Sequence, residues 1–122
     1  MAKTVLIVED SSSTRGLAKF AIKKAGYTPL EAEDGVQGLE QLKNNQVDLI
    51  ITDLNMPNMD GLELVRQVKA NPATSSIPIF VCTTEMRPEL MATGKELGVM
   101  AWIVKPFIPD KLLAALKKVL AE

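Results

Sequence analysis

Three carboxylates in this chain stand at the ends of apolar runs. Glu9 and Asp10 close Val5-Leu6-Ile7-Val8, and Asp53 follows Leu49-Ile50-Ile51. Two other apolar runs end in different chemistry: Ile77 to Cys82 leads into Thr83-Thr84, and Ala101 to Val104 leads into Lys105-Pro106. If the runs are parallel strands, all these groups meet at one edge of one sheet. Three carboxylates held together repel, each pair at about 5 Å by roughly 3 kcal/mol at an effective dielectric near 20. Lys105 supplies one neutralising charge, and a divalent cation would supply the rest. Every donor is an oxygen, which selects Mg²⁺, with Mn²⁺ as the second choice. A metal beside a carboxylate and an ammonium suits phosphoryl transfer. A carboxylate oxygen of Asp53 can attack in line while Lys105 and the metal share the charge on the phosphoryl oxygens. Thr83 would donate its hydroxyl to one of them. The plainer alternatives are that Glu9 and Asp10 only cap the following helix, and that Thr83 is an ordinary strand residue.

These groups need a scaffold that brings strand ends together. The chain has 122 residues, enough for one domain with a core that needs no disulfide. Its net charge of −1 gives no electrostatic footprint for nucleic acid. The single cysteine, Cys82, lies in an apolar run and reads as packing. There is no histidine, which removes serine–histidine catalysis and an internal phosphohistidine relay and, with one cysteine, leaves no ordinary zinc site. No stretch reads as a signal peptide or reaches the ~18 apolar residues that a membrane span requires.

Strand and helix signals alternate along the chain. Val5–Val8 is the first strand, and Asp10-Ser11-Ser12-Ser13-Thr14 offers N-caps for a helix with Leu17, Phe20, Ala21 and Ala25 on its apolar face, stopped by Gly26. Thr28–Ala32 is the weakest strand, and Pro29 confines it to a sheet edge. Glu33-Asp34-Gly35 turns into a helix with Val36, Leu39 and Leu42 facing inward, closed by Asn44-Asn45. The strand ending at Asp53 is followed by a Pro57–Gly61 turn and a helix carrying Leu62, Val65 and Val68. After the Ile77–Cys82 strand, Pro88 opens a helix continued by Leu90, Met91 and Leu97, weakened by Gly94 and Gly98. After the last strand, Pro109 opens a final helix with Leu112, Leu113, Leu116, Val119 and Leu120 inside, and its N-cap position, Ile108, has no side-chain acceptor. Five strands alternating with five helices predict an α/β fold, a doubly wound parallel sheet with helices on both faces. With the proline-bearing strand at an edge, the order 2-1-3-4-5 fits, and the switch point then falls between Glu9-Asp10 and Asp53.

The same residues carry a resemblance. Val8-Glu9-Asp10, then Asp53-Leu54-Asn55-Met56-Pro57-Asn58-Met59-Asp60-Gly61, then Thr83-Thr84, then Lys105-Pro106-Phe107 resemble, in order and spacing, the receiver domains of two-component response regulators. Ala101-Trp102-Ile103-Val104-Lys105-Pro106-Phe107 is similar to the fifth strand of the free-standing chemotaxis type. The resemblance implies a flavodoxin-like fold and one receiver domain over residues 1–122. It implies that Asp53 accepts a phosphoryl group from a phosphohistidine on a sensor histidine kinase or phosphotransfer protein. Mg²⁺ would bind Asp10, Asp53 and the backbone carbonyl of Asn55, with Glu9 acting through water. Thr83 and Lys105 would hold phosphoryl oxygens, and the bond between Lys105 and Pro106 would be cis. Trp102 occupies the switch position, usually tyrosine or phenylalanine, and Glu9 replaces the commoner aspartate. The implied protein is a cytoplasmic monomer, bound to neither membrane nor nucleic acid. It would not be an enzyme beyond supporting its own phosphorylation and slow autodephosphorylation. Its output would be a surface of the fourth helix, fifth strand and fifth helix, presented to a downstream protein in chemotaxis or motility.

Other readings put the same parts to different use. A receiver can also act as a phosphate sink or serve another pathway. A haloacid-dehalogenase-type Mg²⁺-dependent phosphatase also uses a strand-end aspartate, but it needs a second acid where this chain has Asn55. A flavodoxin-like cofactor carrier would use Ser11-Ser12-Ser13-Thr14 as a phosphate loop, which Glu9 and Asp10 oppose.

Overall fold

A computed structural model describes residues 2–120. The elements alternate in chain order: β1 (Thr4–Val8), α1 (Ser12–Lys24), β2 (Thr28–Ala32), α2 (Gly35–Asn44), β3 (Leu49–Thr52), α3 (Gly61–Ala70), β4 (Ile79–Thr83), α4 (Pro88–Glu96), β5 (Ala101–Val104) and α5 (Pro109–Leu120). All four strand pairings are parallel, in the order β2-β1-β3-β4-β5. β2 is an edge strand, with Pro29 opposite Val5, as its missing N–H demands. β1, β3 and β4 are buried on both faces, which explains their unbroken apolar runs.

The core has two halves, one on each face of the sheet. Val5, Ile7, Leu49, Ile51, Phe80 and Cys82 meet α1 and α5 through Ala18, Ile22, Leu112 and Leu116. Leu6, Val8, Ile50 and Ile79 meet α3 through Leu64, Val65 and Val68, with Leu39 and Leu42 of α2 at the margin.

Caps account for most helix starts. Ser11 accepts from the Thr14 N–H, Asp34 from Gln37 and Asp60 from Glu63. α4 has no side-chain cap and starts on Pro88 at its first turn. The carbonyl of Ile108 accepts the first bond of α5 from Leu112. Gly26 stops α1 at φ +95, in the left-handed region that glycine enters freely.

Three local expectations need correction. α1 buries Ala18, Ala21 and Ile22, while Leu17 and Phe20 are 62% and 69% exposed. The inward face is turned by about one residue, or roughly 100°. Small alanines let α1 lie close to the sheet, and Ile22 reaches the core that α1 shares with α5. Val36 of α2 also faces outward, and the buried positions of that helix are Gly35 and Gly38, a Cβ at Gly38 meeting Val8 at 3.3 Å. β4 begins at Ile79 rather than Ile77 and includes Thr83, so the threonine is the last residue of the strand itself.

Candidate functional site

β1 and β3 are neighbours, and their last residues, Val8 and Thr52, are in register. The residues that follow therefore emerge side by side at the carboxyl edge of the sheet. Oxygens of Glu9, Asp10 and Asp53 all lie within 4.8 Å of one another. Glu9 and Asp53 are buried and Asp10 is exposed. Lys105, arriving from the end of β5, reaches across β4 to this cluster. Its Nζ donates to Oδ2 of Asp53 at 2.8 Å and forms a close ion pair with Oε1 of Glu9. The Lys105–Pro106 peptide bond is cis.

The second carboxylate oxygen of Asp53 and of Glu9 is held by a backbone donor. The Leu54 N–H donates to Oδ1 of Asp53 at 2.6 Å, and the Ser11 N–H to Oε2 of Glu9 at 3.0 Å. Burial pushes the Glu9 carboxyl above its ordinary range, and the charge of Asp53 adds to this, while Lys105 works against both. Burial pulls the Lys105 ammonium down, but its bonds to Asp53 and Glu9 outweigh that and leave it raised. Lys105 is therefore a fixed cation at neutral pH.

The loop after β3 is shaped by contacts that leave it little freedom. Gly61 approaches so closely that a Cβ there would stand 2.0 Å from the Asp53 carbonyl oxygen, and its N–H donates to the carbonyl of Leu54. Asn58 sits at φ +66, uncommon for a residue with a side chain. Its Nδ2 donates to Oδ2 of Asp34 at 2.7 Å, which latches the loop to the start of α2. Asn55 lies on this loop, two residues past Asp53, with its side chain exposed.

Thr83 is fully buried, and its Oγ1 accepts from the Glu85 N–H at 3.3 Å. That leaves the hydroxyl proton for another acceptor. The half-buried Trp102 of β5 donates its indole N–H to the Glu85 carbonyl at 2.9 Å and packs against Gly94 of α4. The structure thus brings Glu9, Asp10, Asp53 and Lys105 into direct proximity, and bonds Thr83 and Trp102 to the N–H and the carbonyl of Glu85.

Sequence reasoning missed several contributors. Arg15 of α1 donates to the Glu9 carbonyl at 2.8 Å and pairs with Glu31, which also binds Lys19. Asp34 and the Glu85 carbonyl were likewise unsignalled in this role. Asp34 was recognisable as a cap by type, but a backbone carbonyl used as an acceptor leaves no trace in a sequence.

The sequence pattern of the response regulator receiver domain matches residues 5–117. The chain is a response regulator receiver domain. The receiver is 42% identical over 118 residues to a chemotaxis protein CheY homolog of Campylobacter jejuni, covering 95% of this chain and 91% of that one. It superimposes on the chemotaxis protein CheY4 of Vibrio cholerae with a TM-score of 0.93 at 39% identity, covering 98% of the receiver and all of CheY4. The fold also matches the receiver domain of a Pseudomonas aeruginosa sensor histidine kinase, solved with a magnesium ion in its active-site cleft. There the TM-score is 0.90 at 21% identity, with both chains covered in full. A receiver domain is a phosphoacceptor in signalling rather than a catalyst of turnover, and its phosphoryl donor is a histidine kinase. Among the described residues no helix is long and apolar enough to cross a membrane.

Proposed function

We propose that the receiver spans residues 1–122 as one unit and takes a phosphoryl group onto Asp53 from a kinase or phosphotransfer phosphohistidine. The carrying observation is the cluster itself: three acids within 4.8 Å from two separate segments, with Lys105 bridging Glu9 and Asp53. A carboxylate oxygen of Asp53 attacks phosphorus, the phosphorus–nitrogen bond breaks, and the donor histidine leaves as the neutral or protonated imidazole. The chain has no histidine of its own to act as that donor. Lys105 and the Thr83 hydroxyl take phosphoryl oxygens. The all-oxygen donor set fits a hard divalent ion, with Asp10, Asp53 and the Asn55 carbonyl as ligands and Glu9 acting through water. Mg²⁺, or Mn²⁺ in its place, would supply charge neutralisation for the transferring group.

The fate of the signal is a change of surface. Thr83, the Glu85 backbone and Trp102 form a chain of contacts from the site to α4 and β5. Met91 and Val104 are exposed on these elements, Met100 just before β5 and Ile108 just before α5, and together they would offer apolar ground to a downstream protein. The similarity to chemotaxis proteins supports a place in chemotaxis, in the cytoplasm, with a phosphate sink as the other use of the same chemistry. Incubation with a phosphohistidine donor and Mg²⁺ should give one acid-stable, base-labile phosphoryl group per chain. Asp53→Asn should abolish it, and labelling that persists in that variant would remove Asp53 from the reaction. Phosphotransfer compared across a panel of purified kinases should be fastest from a chemotaxis kinase.

A further inference from the structure

α4 is an unusual helix in this fold. It has no side-chain N-cap, and its one buried residue is a glycine, Gly94. A glycine inside a helix costs about 1 kcal/mol relative to alanine, so its presence needs a local reason. That reason is the Trp102 indole. A Cβ on Gly94 would stand 2.9 Å from Cζ3 and 3.4 Å from Cε3 of Trp102, and 3.6 Å from Cγ2 of Val99. The first distance is closer than non-bonded carbons approach, so the ring occupies space that any other residue at 94 would fill.

The position of the ring matters because of what it holds. Its N–H donates to the Glu85 carbonyl at 2.9 Å, and the N–H of the same residue donates to Thr83 Oγ1 at 3.3 Å. The backbone of one residue, Glu85, therefore separates Thr83 from Trp102. We propose that Gly94 is a positioning residue: by leaving room for the large Trp102 ring, it keeps the indole bonded to Glu85 and couples α4 to the Thr83 side of the phosphoryl site. The proposal rests on the reading that Thr83 holds a phosphoryl oxygen. If the seated ring favours phosphoryl binding, linkage requires that displacing the ring weaken that binding.

Four proteins test this: the wild type, G94A, W102F and G94A/W102F. Each is titrated calorimetrically with beryllofluoride in the presence of Mg²⁺, and Trp102 emission is recorded for the first two. G94A should bind the phosphoryl mimic about fivefold or more weakly than wild type, with emission shifted to the red as the indole leaves its seat. The added methyl group should change affinity less than about twofold in the W102F background, where the smaller ring leaves room. Wild-type affinity and emission in G94A would overturn the proposal, because α4 would then have moved while the indole stayed. An equal loss in both backgrounds would also overturn it, as the effect would not pass through Trp102. If G94A folds poorly, recovery of its thermal midpoint in the double variant supports the contact, and no recovery overturns it. D53N separates this inference from the reading beneath it. Equal beryllofluoride binding by wild type and D53N would overturn the assignment of the site and the coupling with it, whereas a Gly94 failure with normal D53N behaviour overturns the coupling alone.

Discussion

Lys105 stands between Glu9 and Asp53, and its ammonium does in the metal-free protein part of what a divalent ion would do. Its side chain is 15% exposed, with Glu9 and Asp53 at 6% and 9%, so both ion pairs are largely removed from water. Removing one partner of such a pair strands the other charge. Lys105→Met should therefore destabilise the metal-free protein by about 3 kcal/mol in urea unfolding. The same variant should bind Mg²⁺ more tightly, by about tenfold in calorimetry, because the ammonium no longer repels the incoming cation. Beryllofluoride should no longer be retained. Unchanged Mg²⁺ affinity would show that Lys105 and the ion do not share the cluster. The acids and the lysine were legible in the sequence because each follows a strand, and parallel strands carry their last residues to a common edge. Arg15 and Gly94 were not legible. One works through a backbone carbonyl and the other through the absence of a side chain, and neither leaves a pattern of residue types.

At the level of elements, helix α1 shows where periodicity misleads. Leu17 and Phe20 have helical spacing and the larger apolar surfaces, yet the sheet takes the side carrying Ala18, Ala21 and Ile22. Close packing rewards fit rather than size, and a second helix, α5, competes for the same face. Phe20→Ser should change stability by less than about 0.5 kcal/mol. Ile22→Ala should cost about 3 kcal/mol, since Ile22 is fully buried. Equivalent losses in chemical denaturation would mean that Phe20 is buried after all. The start of α2 offers a pH test. The Gln37 N–H and then the Asn58 side chain bond to the Asp34 carboxylate and hold its pKa below the ordinary range. A depressed folded-state pKa adds stability that is complete above the unfolded value, about 3.9, and fades as pH falls through the folded one. Asp34→Ala should then cost about 1 kcal/mol at pH 7. The gap to wild type should narrow steadily below about pH 4. A constant gap would assign the loss to packing instead.

Across the whole molecule, fold and site are consequences of one arrangement. Five parallel strands in the order β2-β1-β3-β4-β5 put the ends of β1 and β3 side by side, and those ends carry the acids. Alternation and an edge proline led to a parallel sheet that this order fits, and the resemblance to receiver domains supplied the order itself. A cluster that repels itself should make the folded state respond to cations. Mg²⁺ at about 100 times its dissociation constant should stabilise the protein by about 2.7 kcal/mol, seen as a raised thermal midpoint. Asp10→Asn should remove most of that rise, and an undiminished rise would place the ion elsewhere. The least anchored part, from the end of β4 through α4, should exchange amide hydrogens faster than the central strands, and beryllofluoride should slow it. Cys82, the lone cysteine, belongs to the opposite extreme. It is packed between the sheet and α5, and burial raises its thiol to about 11, with Lys105 opposing and Asp53 and Glu9 adding to the rise. At pH 7 on the order of one such thiol in ten thousand is ionised, and it is shielded from reagents as well. A cysteine introduced on the surface would consequently be the only one to react with a maleimide dye, and attachment chemistry can proceed with the native β4 left as it is.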